Sequence, residues 1–322
     1  MSDYEYARLL PSHQVDATTG MPVVRFHPAW LFWGYLLLLA TIEAITALTD
    51  LRIGLVLHVG LLFGLTLHSS LGATEAERRL ALVLTMVPLI RTVSLALPLM
   101  DVPPAIWYPA VTVALLMAVA VVAAQSGLTA RQIGLSTQQP TLHLMMISGG
   151  LSIGAIQFAL VQPDLLNHTV VIAIPLPVLL LFLIGSGCIE EVIFRGLIQS
   201  AAQMVMGRQA LVYGALVFAV LHIGYFSVPA VLFAFLLGLL FAYIVALSGS
   251  LLGVALLHSS INVVQILVVP LIVQPVTAFQ NLLPGATPTE TITTSIVLLI
   301  LAGMTFIAGW VLLLLGYLAG RA

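Results

Sequence analysis

The sequence predicts an all-α polytopic membrane helix bundle of about ten transmembrane helices, with both termini cytoplasmic. Three observations carry this prediction. The chain of 322 residues is 61% hydrophobic and only 7% charged, against roughly 25% in an ordinary soluble domain. Long apolar runs recur along it, and about 18 such residues suffice to cross ~30 Å of hydrocarbon. They lack the alternation of barrel strands, so a helix must satisfy the spanning backbone. The arginines then sort by side. With a cytoplasmic N-terminus, Arg8, Arg25, Arg78, Arg79, Arg131, Arg208 and Arg321 fall on one side and Arg52 alone on the other. Arg91 and Arg195 lie within helices and do not enter the comparison. This is a positive-inside pattern, and an odd number of spans would break it.

The spans are expected at about 29–49, 53–71, 80–100, 104–124, 143–161, 169–190 (continuing as helix), 209–226, 229–248, 250–269 and 292–319. About 28 fairly polar residues precede the first, which is long enough to be a span, so no cleavable signal peptide is expected. Polar or turn-rich connections separate several of them: "GATEAERR" at 72–79, "DVPP" at 101–104, "QSGLTARQIGLSTQQPT" at 125–141 and "VQPDLLNH" at 161–168. The longest loop, "VQPVTAFQNLLPGATPTET", occupies 273–291. Residues 1–124 are read as a polar N-terminal segment with an accessory four-helix membrane region, and 125–322 as one functional unit. There is no internal repeat, and no basic stretch points to nucleic acid. The single cysteine, Cys188, excludes an intrachain disulfide.

Function concentrates where charge enters the apolar runs. An ionisable side chain at the centre of a span costs roughly 2.5–3.5 kcal/mol on insertion scales, so such groups pair, face the bundle interior or do chemistry. Glu190, Glu191 and Arg195 lie on the sixth span, His222 on the seventh, and His258 with Asn262 on the ninth. Glu191 and Arg195 are four apart and share a helix face, with the carboxylate N-terminal to the cation. Glu190 points about 100° away and must find its partner on another helix. His258 and Asn262, also four apart, project together. Glu190, His222, His258 and Asn262 are therefore expected around one polar cavity reached from the cytoplasmic half. Such a set can deprotonate a water and stabilise an oxyanion, or hold a divalent metal that carries the water. Glu43, His58, His68 and Arg91, scattered over the first three spans, are read as buried structural pairs.

The motifs "EEVIFR", "FAVLH" and "HSSIN" fit EExxxR, FxxxH and HxxxN, in order and on separate spans, with roughly 25–35 residues between them. In this the chain resembles the CPBP family of CaaX proteases and bacteriocin-processing proteins, also called Abi or type II CaaX prenyl endopeptidases. The resemblance covers about residues 170–270, and "IGLS" at 133–136 resembles a segment found ahead of that domain. It implies intramembrane peptide-bond hydrolysis. Glu190 and His222 would activate water, His258 and Asn262 would form the oxyanion site, and Glu191 with Arg195 would support them. Phe218, one turn before His222, would limit that ring's rotamers. The metal version would use Glu190, His222 and His258 to hold Zn2+ or another divalent ion, although no spacing matches the HExxH of soluble zincins.

The implied partners are a peptide or protein substrate at the membrane and the lipid bilayer, with no nucleic acid. Ten arginines and no lysine hint at a GC-rich prokaryotic genome and hence a prokaryotic cytoplasmic membrane. Two rivals are a proton- or ion-coupled transporter, against which stands the lack of a repeated half, and a non-catalytic immunity or partner-binding protein. Ser250, eight residues before His258, and Cys188 are the alternative nucleophiles. Their expected roles are a turn residue and a small buried hydrophobe.

Overall fold

The computed structural model describes residues 13–15, 22–24, 28–100, 104–135, 140–161 and 175–269, together with 303, 308, 309, 311, 315 and 316. Its elements are helical, apart from a short antiparallel pair of β1 (His13–Val15) and β2 (Pro22–Val24) ahead of the first helix. The helices are α1 (Pro28–Leu48), α2 (Leu51–Leu71), α3 (Glu75–Leu84), α4 (Met86–Leu99), α5 (Pro104–Ser126), α6 (Pro140–Val161), α7 (Leu176–Glu191), α8 (Gln199–Met206), α9 (Gln209–Val220), α10 (Val228–Ser248) and α11 (Leu252–Val263).

Among the described residues, five helical stretches are long and apolar enough to cross a membrane: Ala29–Leu48, Leu51–Leu71, Glu75–Leu97, Leu176–Met206 and Val228–Ser248. They coincide with the first, second, third, sixth and eighth expected spans. The fourth, fifth, seventh and ninth fall on α5, α6, α9 and α11, whose described apolar stretches are shorter. The loop at 273–291 lies outside the described residues, and the tenth span at 292–319 does so almost entirely.

Local chemistry sets the boundaries. Asp50 caps α2 by accepting from the Arg52 N–H, and Ser227 caps α10 by accepting from the Ala230 N–H. Thr74 accepts from the Glu77 N–H while the Glu77 carboxylate accepts from the Ala73 N–H, a reciprocal cap that starts α3 before the expected third span. That helix steps at Thr85 before resuming as α4, because Pro88 has no N–H to offer the preceding turn. At the expected seventh span, α9 stops at Val220, short of the expected 226, and a 3-10 turn, Ile223–Tyr225, follows.

The sixth span has the most consequential shape. It runs unbroken for 31 residues from Leu176 to Met206, about 46 Å at ~1.5 Å per residue. The two glutamates therefore sit near its middle. Directly after them, Val192–Ile198 winds as a π-helix between α7 and α8, and a second π-turn, Val264–Val268, follows Asn262 on α11. Such turns gather at functional sites because they re-aim side chains without breaking the helix.

One apolar core runs through both sequence regions, joining Phe32 and Leu80 to Phe194 and Tyr213. Within the first region Glu43 and Arg91 form a two-pronged ion pair, at 2.6 and 2.9 Å, and His58 Nε2 lies 3.3 Å from Glu43. Both Glu43 and His58 are fully buried. His68 stacks on Phe32 and meets the Tyr35 hydroxyl at 3.2 Å.

Candidate active site

The site begins with a close approach of two backbones. Gly187 on α7 faces Ser259 on α11, so that a Cβ at Gly187 would stand 2.7 Å from the Ser259 nitrogen. Ser259 Oγ donates across the same contact to the Ile184 carbonyl at 2.9 Å. Position 187 is thus restricted to glycine, and the next helical turn, with Glu190 and Glu191, is carried against His258. On the far side of α11, Gly150 and Gly154 of α6 pack against Ser260 and Val264. The start of α11 is held by the "IGLS" segment: Gly134, at a φ of 76° that favours glycine, accepts from the Leu251 N–H at 2.8 Å.

The buried centre is an ion-paired triad. Arg195 Nη1 donates to Glu191 Oε1 at 2.8 Å, with side chains 2% and 0% exposed. His258 Nδ1 donates to the same oxygen at 2.6 Å. Glu191 Oε2 is buried without a hydrogen-bond partner among the described residues. The guanidinium carbon lies 4.7 Å from the Phe218 ring centre and 5.3 Å from that of Phe241, and Nη2 donates to the Gly238 carbonyl at 3.3 Å. Desolvated aromatic faces add to the holding of such a cation.

Glu190 occupies the wetter side of the helix, 35% exposed, with Oε2 3.8 Å from His258 Nε2. His258 thus lies between two carboxylates. His222 sits in the turn beyond α9, where Nδ1 donates to the Phe218 carbonyl at 3.0 Å. That bond fixes the proton on Nδ1 and leaves Nε2 with the lone pair of the neutral ring. Phe218 packs 4.9 Å, centre to centre, from His222. Asn262 Nδ2 donates to Ser186 Oγ at 3.3 Å, which leaves its second amide hydrogen for another acceptor. Glu190, His222, His258 and Asn262 all line one cavity of about 230 Å³.

Residues 172–264 match the family model for type II CAAX prenyl endopeptidase Rce1-like proteins. In this stretch the chain resembles the CPBP family of CaaX proteases. No curated protein and no solved structure matches the chain. The matched stretch holds Glu190, Glu191, Arg195, Phe218, His222, His258 and Asn262, and the family it resembles is one of integral membrane proteases.

Several features of this site were not apparent in the sequence. Helical spacing sent Glu191 to Arg195 alone, whereas its carboxylate also holds His258. Phe241, from a helix without a charged residue, carries no signal that it faces a cation. Thr112 on α5 lines the cavity, so the region ahead of residue 125 contributes a wall. Gln157 and Gln265 line it too, and both lie outside the matched stretch. The alternative nucleophiles are engaged elsewhere: Ser250 Oγ is 3.0 Å from His143 Nε2, and Cys188 Sγ is 3.4 Å from Ser259 Oγ.

A metal requires converging donors at ~2.0–2.2 Å. Among the described residues no group of three or more His, Cys, Asp or Glu side chains is placed to hold one. Glu190 and His258, at 3.8 Å, are wider apart than the roughly 3.4 Å that two tetrahedral ligands at such distances would show. As positioned, these residues do not form a ready metal site.

Proposed function

We propose that this chain is an intramembrane endopeptidase that cleaves a peptide bond in a membrane-associated protein or peptide. It would span the membrane about ten times with both termini cytoplasmic, in a prokaryotic cytoplasmic membrane. The observation that carries the reading is the single cavity lined by Glu190, His222, His258 and Asn262, in a stretch of CaaX-protease family.

In the proposed reaction the Glu190 carboxylate takes a proton from a water that His222 Nε2 also holds. The resulting hydroxide adds to the scissile carbonyl carbon. The oxyanion that forms is met by the second N–H of Asn262 and by His258 Nε2–H. For His258 to donate from both nitrogens the ring must be an imidazolium, and its charge would then lie between Glu191 and Glu190. Collapse breaks the C–N bond as Glu190 returns its proton to the leaving amine. Glu191 and Arg195 touch no substrate in this scheme and position His258.

The test is Glu190→Gln, assayed with internally quenched peptides ending in CAAX-type sequences, both farnesylated and unprenylated. The variant should fold and still bind peptide while losing ~10²–10⁴ in turnover. Full turnover would return the cluster to a transport or structural role.

A further inference from the structure

We infer that Gln157 and Gln265 bind the main chain of the substrate beside the scissile bond, forming a carboxamide subsite next to Asn262. The inference rests on the endopeptidase reading of the cavity. Both side chains line that cavity. Gln157 Oε1 is buried and has no hydrogen-bond partner among the described residues. An unmade bond at a buried acceptor is costly, and a purely structural glutamine would be expected to avoid it. Gln265 is 7% exposed and sits on the π-turn that directly follows the Asn262 helix. The pairing of the two elements is built in. Gly150, Gly154 and Gln157 recur at i, i+4 and i+7, hence on one face of α6, and the two glycines pack that face against Ser260 and Val264 of the helix that carries Gln265.

The chemistry suits a peptide. A substrate segment drawn into a low-dielectric cavity must be extended for attack, and it then presents N–H and C=O groups stripped of both helix and water. Each such group needs a partner. A carboxamide both donates and accepts, so it can pair with either main-chain group. It is also neutral, so it can stand beside Glu190 and the two imidazoles without changing their charge balance. Gln157 Oε1 is shielded as placed, so the carboxamide turns about its last torsion to offer that oxygen to a substrate N–H.

The experiment is a cycle between protein and substrate, using the same quenched peptides and depsipeptide versions in which single backbone N–H groups near the scissile bond are replaced by oxygen. Gln157→Leu and Gln265→Leu should each raise KM several-fold to about tenfold, with kcat within about twofold of wild type. One ester position should cost the wild type that same factor and cost Gln157→Leu nothing. If Gln157→Leu does not fold, Gln157→Met, which keeps the shape, serves in the same cycle. Equal ester penalties in wild type and variants, or unchanged KM values, overturn the subsite while wild-type cleavage leaves the endopeptidase reading standing. If wild type cleaves none of the peptides and Glu190→Gln binds none, the endopeptidase reading falls and the subsite with it.

Discussion

His258 Nδ1 lies 2.6 Å from Glu191 Oε1, the oxygen that also accepts from Arg195 at 2.8 Å. One carboxylate oxygen therefore joins two motifs 67 residues apart. The bond fixes the plane of the ring, and it turns Nε2 toward Glu190. Buried histidines at reaction centres are commonly oriented this way, by a carboxylate that does no chemistry itself.

Glu191→Gln tests that role. The amide keeps the shape but loses the charge that holds both Arg195 and His258. Turnover should fall by about 10–100-fold, the range typical of an orienting partner, with Glu190 intact. Peptide binding should change far less. Wild-type turnover in this variant would remove Glu191 from the positioning of His258.

Arg195→Ala should act first on stability. It leaves a fully buried carboxylate without its guanidinium partner, and breaking a buried pair from one side costs about 3–5 kcal/mol. Thermal unfolding in detergent should show a clear drop in Tm together with a reduced folded yield. The double variant Glu191→Gln/Arg195→Met, which removes the charge from both sides, should regain stability and remain poorly active. Normal accumulation and activity of Arg195→Ala would contradict the ion-pair account.

Gly187→Val probes the helix contact. Its Cβ would meet the Ser259 backbone, so α7 and α11 must part, at a cost of about 1–3 kcal/mol. The Glu191–His258 bond depends on that contact, so activity per folded molecule should fall as well. A Gly34→Val control should leave turnover unchanged, because a Cβ at that position would meet nothing within 4 Å.

Water activation by the chain's own groups requires that exhaustive chelation leave both activity and Tm unchanged. Loss of turnover that zinc restores, with a lower Tm in the chelated protein, would instead place the water on a metal. Metal bound only to the folded form adds stability by mass action.

The sequence by itself determined that the chain is built of apolar helices, five of which among the described residues are long enough to cross a membrane, and it determined the identity of the ionisable groups. Charge is so scarce in a chain that is 7% charged that each such group inside an apolar run stands out, and i,i+4 spacing is enough to pair Glu191 with Arg195. Tertiary structure alone decided which carboxylate meets His258. That choice depends on how closely α7 approaches α11, and the approach depends on Gly187 and Ser259, two small residues with no signal in hydropathy. It also decided that His222 lies in a turn beyond its helix, held by the Phe218 carbonyl, rather than within a regular span. Gln157, Gln265 and Phe241 reach the site for the same reason: packing brings together faces that have no sequence neighbour in common, and periodicity along one helix cannot specify which other helix it will meet.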